Sequence, residues 1–131
     1  LARALPTLAM DLGALQRAYP NPAAVRRRLI VQQRGAARMA GDTAAPALSA
    51  DDSLRVAELR RAANRPVLEL ATARMARAVG SERQLLEVMT DFWQNHFNVH
   101  AGKAAPIRHV LPAYDATVRA HALGRFRDLL G

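Results

Sequence analysis

The stretch SERQLLEVMTDFWQNHFNVH, residues Ser81 to His100, limits the folds open to this chain more than any other. Leu85, Leu86, Met89, Phe92, Trp93, His96 and Phe97 recur at spacings of three and four, the signature of one broad apolar helix face. Ser81 stands where its hydroxyl can accept from first-turn amides and cap the helix. The face is too wide for a lone surface helix. It predicts a helix lying in a groove between other helices, with Trp93 in a core.

The flanking sequence repeats the helical pattern and offers nothing to a sheet. No stretch alternates with period two, and no Asn-Gly or Asp-Gly hairpin signal occurs. A Pro6-marked helix is expected between Leu5 and Tyr19, ended before Pro20. Asn21-Pro22 reads as a cap followed by proline in the first turn of a helix to Met39. Ser49 or Asp51 caps a third helix, and Pro66 opens a fourth that Gly80 ends in a left-handed position. After the central helix, NVHAGKAAP is a polar turn. A further helix runs from Ile107 or Pro112 to Ala122, and a last short segment covers Arg125 to Leu130. The fold class expected is all-α: an irregular bundle of about five to six helices, part of a larger helical protein. Residues 1–40 form the N-terminal helices, 41–50 a flexible linker, and 51–131 a helical core segment, with 1–40 and 51–131 in one domain.

Composition excludes several classes of function. There is no cysteine, so disulfides and thiolate metal sites within the chain are ruled out. No apolar run approaches the ~20 residues of a membrane span. The net charge of +8 is uneven: residues 1–80 hold 13 Arg against 6 acids, residues 81–131 six basic against five acidic groups. Arginine suits phosphate. A nucleic-acid binder would need Arg26, Arg27, Arg28, Arg60 and Arg61 on one continuous face, and the arginines are not interleaved with aromatics. Nucleic acid is therefore the least favoured partner.

The chemistry-bearing residues cluster in the same central stretch. His96 and His100, four apart, could share a metal on an unbroken helix, with Asp91 or Glu87 adding carboxylates. The HExxH pattern is absent, because Phe97 follows His96. A packed His96 and an exposed His100 form the preferred reading, and no cofactor is implied. Glu87 and Asp91 are like charges four apart, so an arginine from another helix, Arg108, Arg119 or Arg125, is expected to compensate. Candidate catalytic groups are Glu87, Asp91 and His96. Asn95 could cap a loop or orient His96.

At these residues the chain resembles a known family. SERQLLEVMTDFWQNHFNVHAGK is similar to the "ER-QL-E-M--FW-NHFNV" segment of the DUF1800 family of large uncharacterised bacterial proteins. Tyr114 and Asp115, then Arg119, His121, Ala122, Leu123, Gly124, Phe126, Leu129 and Leu130, resemble its "Y---IR-HALG-FR-LL" segment, in matching order and separation. The resemblance is close over residues 66–131 and looser over 1–65. It implies a mostly helical protein of which this chain is an N-terminal portion. The family motif positions are Glu87, Asp91, Trp93, Asn95, His96 and Asn98. Members often stand beside a sulfatase-like secreted protein, which implies such a partner and a periplasmic or envelope location. Three roles follow as expectations: a structural or partner-binding helical module, part of an envelope-associated hydrolase or metal-assisted enzyme with an Asp/His/Asn site, or a nucleic-acid binder.

Overall fold

Two of the expected caps form as read. In the computed structural model, which describes residues 4–41 and 47–130, Asn21 Oδ1 accepts from Ala23 N at 3.0 Å and Ser49 Oγ accepts from Asp52 N at 3.1 Å. They open α2 (Pro22–Met39) and α3 (Ala50–Ala62), with Asp51 and Asp52 in the first turn of α3, where the helix dipole favours anions. Gly41, at φ +71°, carries the chain out of α2 in the left-handed region that glycine tolerates best. Residues 42–46 of the expected linker lie outside the described residues.

The first expected helix is split. A 3-10 turn at Pro6–Ala9 precedes α1 (Leu12–Ala18), because Asp11 caps a new helix by accepting from Ala14 N at 2.8 Å. The remaining helices are α4 (Arg65–Gly80), α5 (Gln84–Phe97), α6 (Ile107–His121) and α7 (Phe126–Leu130). Pro66 sits in the first turn of α4, as its missing N–H requires. Gly80 does not end α4 in a left-handed position. Ser81 follows in extended geometry, φ −79° and ψ 131°. Nor does Ser81 cap α5. Its hydroxyl accepts from Arg83 N at 3.1 Å, within the connection, and α5 begins one turn later than expected. The architecture is an irregular all-helical bundle, with no strand among the described residues.

The hub of this bundle is α6, not α5. The 3-10 turn, α1, α4, α5 and α7 all pack against α6, while α2 and α3 pack chiefly on each other. Leu111, Asp115, Val118 and Ala122 form its buried stripe, and Pro112, inside the helix, is buried as well. Leu70 and Ala73 of α4 and Leu15 of α1 complete a small core of aliphatic side chains, while Val56 of α3 is buried on the side where α3 meets α2. Ala73 is fully enclosed, and its small side chain lets the hub approach α4 closely.

Two polar anchors fasten the N-terminal elements to this frame. Thr7 gives both its amide (2.8 Å) and its hydroxyl (2.7 Å) to Glu69 Oε2, and Arg65 Nε donates to Glu69 Oε1 at 2.8 Å. Burial pushes the Glu69 carboxyl up, but hydrogen bonds from Arg65 and Thr7 outweigh it and hold it below the usual range. His109 Nε2 lies 2.7 Å from the Tyr19 carbonyl oxygen, tying the end of α1 to α6.

The aromatic residues are not the core that their helical spacing predicts. Trp93 is half-buried, Phe92 is 52% exposed and His96 is exposed. The face of α5 that enters the bundle carries Thr90 and Gln94 instead, both buried. The wide apolar face offers more surface than α6 can cover. One edge of it, with Leu86 and Trp93, is half-covered; Leu85 and Phe92 stand outside.

Candidate functional site

Three helices meet around a cluster of buried charge. The turn-related positions Leu70, Ala73, Arg74 and Arg77 of α4 face α6 and α5. From α5, Glu87, Thr90 and Gln94 (spacings of three and four) face back. Asp115 of α6 lies between them and is 4% exposed. Three donors converge on it: Arg74 Nε at 2.9 Å and Gln94 Nε2 at 2.7 Å on Oδ1, and Arg77 Nη2 at 3.0 Å on Oδ2. Burying a carboxylate in a helical core is costly unless such partners surround it.

Glu87 forms the second half of the cluster. Both terminal nitrogens of Arg119 donate to its two oxygens in a fork, the strongest planar arrangement available to a carboxylate. Arg77 Nε approaches Glu87 Oε2 at 3.7 Å, so Arg77 links the two carboxylates. The Arg119 hydrogen bonds outweigh burial and hold the Glu87 carboxyl below the usual range, and the same pairing raises Arg119. The compensating arginine expected for the Glu87–Asp91 repulsion is thus Arg119, with Arg77 assisting. Close by on α6, the Tyr114 hydroxyl is buried with no hydrogen-bond partner, and burial pushes its pKa up.

Beside this cluster a cleft of about 650 Å³ opens between α4 and α5 over α6. Its walls are mainly aliphatic, from Val67, Met75, Val88 and Leu111, and Arg74, Arg77, Arg119, Glu87 and Asp115 reach it from the charged side.

The other candidate residues do not converge. Asp91 is exposed at the rim of the cleft and accepts from Asn95 Nδ2 at 3.0 Å, so Asn95 neither caps a loop nor orients His96. His96 is not a packed core residue. It points outward and stacks on Phe92, with ring centroids 6.1 Å apart at 18°. His100 is not on the same helix, because Asn98 adopts the left-handed conformation (φ 51°, ψ 42°) and ends α5. Instead His100 lines the cleft and accepts at Nδ1 from Gly102 N at 3.2 Å. Among the described residues no group of three His, Asp or Glu side chains is arranged to hold a metal.

Trp93 has a distinct task. Its Nε1 donates to the Ala122 carbonyl oxygen at 3.2 Å, satisfying an orphan acceptor at the end of α6. Its ring stacks with Phe97 and Phe126, at centroid distances of 6.0 and 5.3 Å, and meets the edge of Phe92 at 5.0 Å. The outcome is an aromatic ridge that runs from α5 onto α7.

Arg74, Arg77, Gln94 and Asp115 were not among the sequence candidates. One signal was available: Asp115 interrupts the apolar series Leu111, Val118, Ala122, and an acid in a buried helical stripe needs basic partners.

The profile of the family described as "Protein of unknown function (DUF1800)" matches residues 5–131. The chain belongs to the DUF1800 family. The match reaches well beyond the close resemblance over residues 66–131, taking in α1 to α3 as well as the charged cluster and the ridge. No curated protein and no solved structure matches the chain. No described helix is long and apolar enough to cross a membrane.

Proposed function

We propose that this DUF1800 chain is a helical recognition module whose aromatic ridge docks against the apolar face of a protein partner with acidic groups around that face. The observation that carries the reading is the inversion of α5. Its polar residues Glu87, Thr90 and Gln94 are turned into the bundle, while Leu85 (66% exposed) and Phe92 (52%) face outward. Phe126 of α7, 48% exposed and stacked on Trp93, extends this apolar surface. Contiguous exposed aromatics of this kind characterise interaction sites.

Arg83 stands at one end of α5 and Arg125 and Arg127 bracket Phe126, all three exposed, so acidic groups on the partner would pair with these arginines; the exposed acids Glu82, Asp91 and Asp128 lie on the same segment, whose balance is six basic against five acidic groups. The sulfatase-like secreted protein implied by the family resemblance is the first candidate to try, and with it an envelope location.

The enzymatic and nucleic-acid readings gain less. Glu87 is locked in an arginine fork, and His96 lies away from the cleft that Glu87 and Asp91 line. Arg26 and Arg60 line one shallow depression between α2 and α3, whereas Arg27 and Arg28 line another.

A photo-crosslinking residue placed at position 92, in the chain expressed in a bacterial host, tests the proposal. The expected result is a defined adduct with one protein, lost when Phe126→Glu is added and absent with the probe at Val31, exposed on α2. Equal labelling at positions 92 and 31 would overturn the reading. A concentration-dependent dimer, abolished by Phe92→Glu, would replace the acidic partner with a second copy.

A further inference from the structure

The cleft between α4 and α5 is separate in chemistry from the ridge. Its volume, about 650 Å³, falls within the range of small-molecule sites, and its make-up matches theirs: aliphatic walls with a few fixed polar groups at one side. The polar groups have an uneven balance. Three guanidinium groups, Arg74, Arg77 and Arg119, face two carboxylates, Glu87 and Asp115. Asp91 is the remaining acid on the lining. It is exposed and bonded to Asn95, so solvent screens its charge from the buried cluster. His100 and Gln84 complete the polar lining.

Hydrogen-bond capacity is uneven as well. Arg74 uses only Nε, on Asp115, and both its terminal nitrogens lack an acceptor, with the side chain 39% exposed. Arg77 uses Nη2 on Asp115, and its Nε is buried and 3.7 Å from Glu87 Oε2. Arg119 is committed to Glu87. The free donors therefore concentrate on Arg74, on the same lining as the aliphatic side chains of Val67, Met75 and Val88.

We propose that this cleft binds a small monoanionic amphiphile, a carboxylate with an aliphatic body. The carboxylate accepts from the terminal nitrogens of Arg74, with the charge of Arg77 beside it, and the body lies along Val67, Met75, Val88 and Leu111. One negative charge balances the excess guanidinium. A dianion such as a phosphate monoester would overcompensate it. Arginine's planar donors suit a carboxylate. The inference does not depend on the aromatic ridge.

Octanoate is the probe, titrated below its micelle concentration against the whole chain and followed by calorimetry and by NMR shifts of the Met75 and Val88 methyls. The expected result is saturable one-to-one binding with shifts confined to the cleft. Octan-1-ol, with the same body and no charge, should bind at least about tenfold more weakly, as should octanoate to Arg74→Gln. Arg74→Gln also removes a partner of Asp115, so a second variant that leaves the charged cluster intact is needed. Ala71→Phe places a ring on the cleft wall and should abolish binding without touching the ions. Three results would each overturn the inference: no saturable binding of octanoate, equal affinity for octan-1-ol, or unchanged affinity in Ala71→Phe. Phe92→Glu should leave octanoate affinity unaltered; its loss there would move the site to the ridge and sink the assignment.

Discussion

Asp115→Ala is the sharpest test of how this bundle holds together. The substitution removes the acceptor for Arg74, Arg77 and Gln94 at once. Removing one partner of a buried pair costs about 3–5 kcal/mol, chiefly because the other charge is left uncompensated. Here the upper end is too high. The Arg74 side chain is 39% exposed and can turn to water, and Arg77, at 23%, retains Glu87 at 3.7 Å. Gln94, 7% exposed, has no such escape. We therefore expect a loss of about 3 kcal/mol. For 131 residues, at ~2.1 cal/mol/K per residue, that corresponds to a fall in Tm of roughly 11 °C. Urea unfolding, followed by Trp93 fluorescence and by far-UV circular dichroism, measures it. The midpoint should move with the slope unchanged. Asp128→Ala, which removes an exposed acid of α7, should stay within about 0.5 kcal/mol of the parent. A loss below about 1 kcal/mol for Asp115→Ala would mean that water reaches the cluster and that the carboxylate does not organise the three helices.

Other expected outcomes follow from the same geometry. Glu87 and Glu69 both ionise below the ordinary carboxylate value of 4.5 in the folded state. Their stabilisation is present above pH 4.5 and drains away as pH falls through the depressed values. Glu87→Gln should flatten the pH dependence of the urea midpoint below pH 4.5; an unchanged profile would contradict the pairing with Arg119. His109→Leu removes the contact with the Tyr19 carbonyl and should cost about 1–2 kcal/mol in urea unfolding, with faster amide exchange in α1; unchanged exchange would mean that this bond does not hold α1 in place. Trp93→Phe should cost about 1 kcal/mol, for the bond to Ala122, and Trp93→Ala about 2–3 kcal/mol, less than a fully buried tryptophan. A loss of 4 kcal/mol or more would place Trp93 in a closed core, against its half-buried position.

Local signals were legible in the sequence and relations between helices were not. The caps at Asn21 and Ser49 and the proline at the start of α4 depend on neighbours a few residues away, so residue type and spacing suffice. Asp11 was missed because a continuous apolar pattern from Leu8 to Tyr19 conceals a cap inside it. The Glu87–Arg119 pair was among three arginines anticipated from the Glu87–Asp91 repulsion. The Asp115 partners were not, since Arg74 and Arg77 lie 41 and 38 residues away and meet it only once α4 and α6 are in register. The largest error concerned direction. Periodicity identifies an apolar face but not whether this chain covers it, and α6, with its Leu111, Val118 and Ala122 stripe, took the central place expected of α5.

A helix with Leu85, Met89, Phe92, Trp93 and His96 along one side would ordinarily bury those residues first, because each large apolar side chain enclosed contributes about 1.5–3 kcal/mol. In α5 the side turned inward holds Glu87, Thr90 and Gln94, and the hydrogen bonds of Glu87 and Gln94 fix its register on α6. Thr90 returns its hydroxyl to Leu86 O at 2.7 Å and so asks nothing of its neighbours. Ion pairs and amide bonds are directional and tolerate little sliding, unlike aliphatic contacts. They can therefore hold α5 in one orientation while its aromatic side stays uncovered. Trp93 joins the two sides. Its indole nitrogen is fixed to Ala122 at the end of α6, and its ring supports Phe92 and Phe126 from beneath. An aromatic ridge mounted in this way loses little conformational freedom when something packs against it, which is what makes preorganised aromatic side chains effective anchors at an interface.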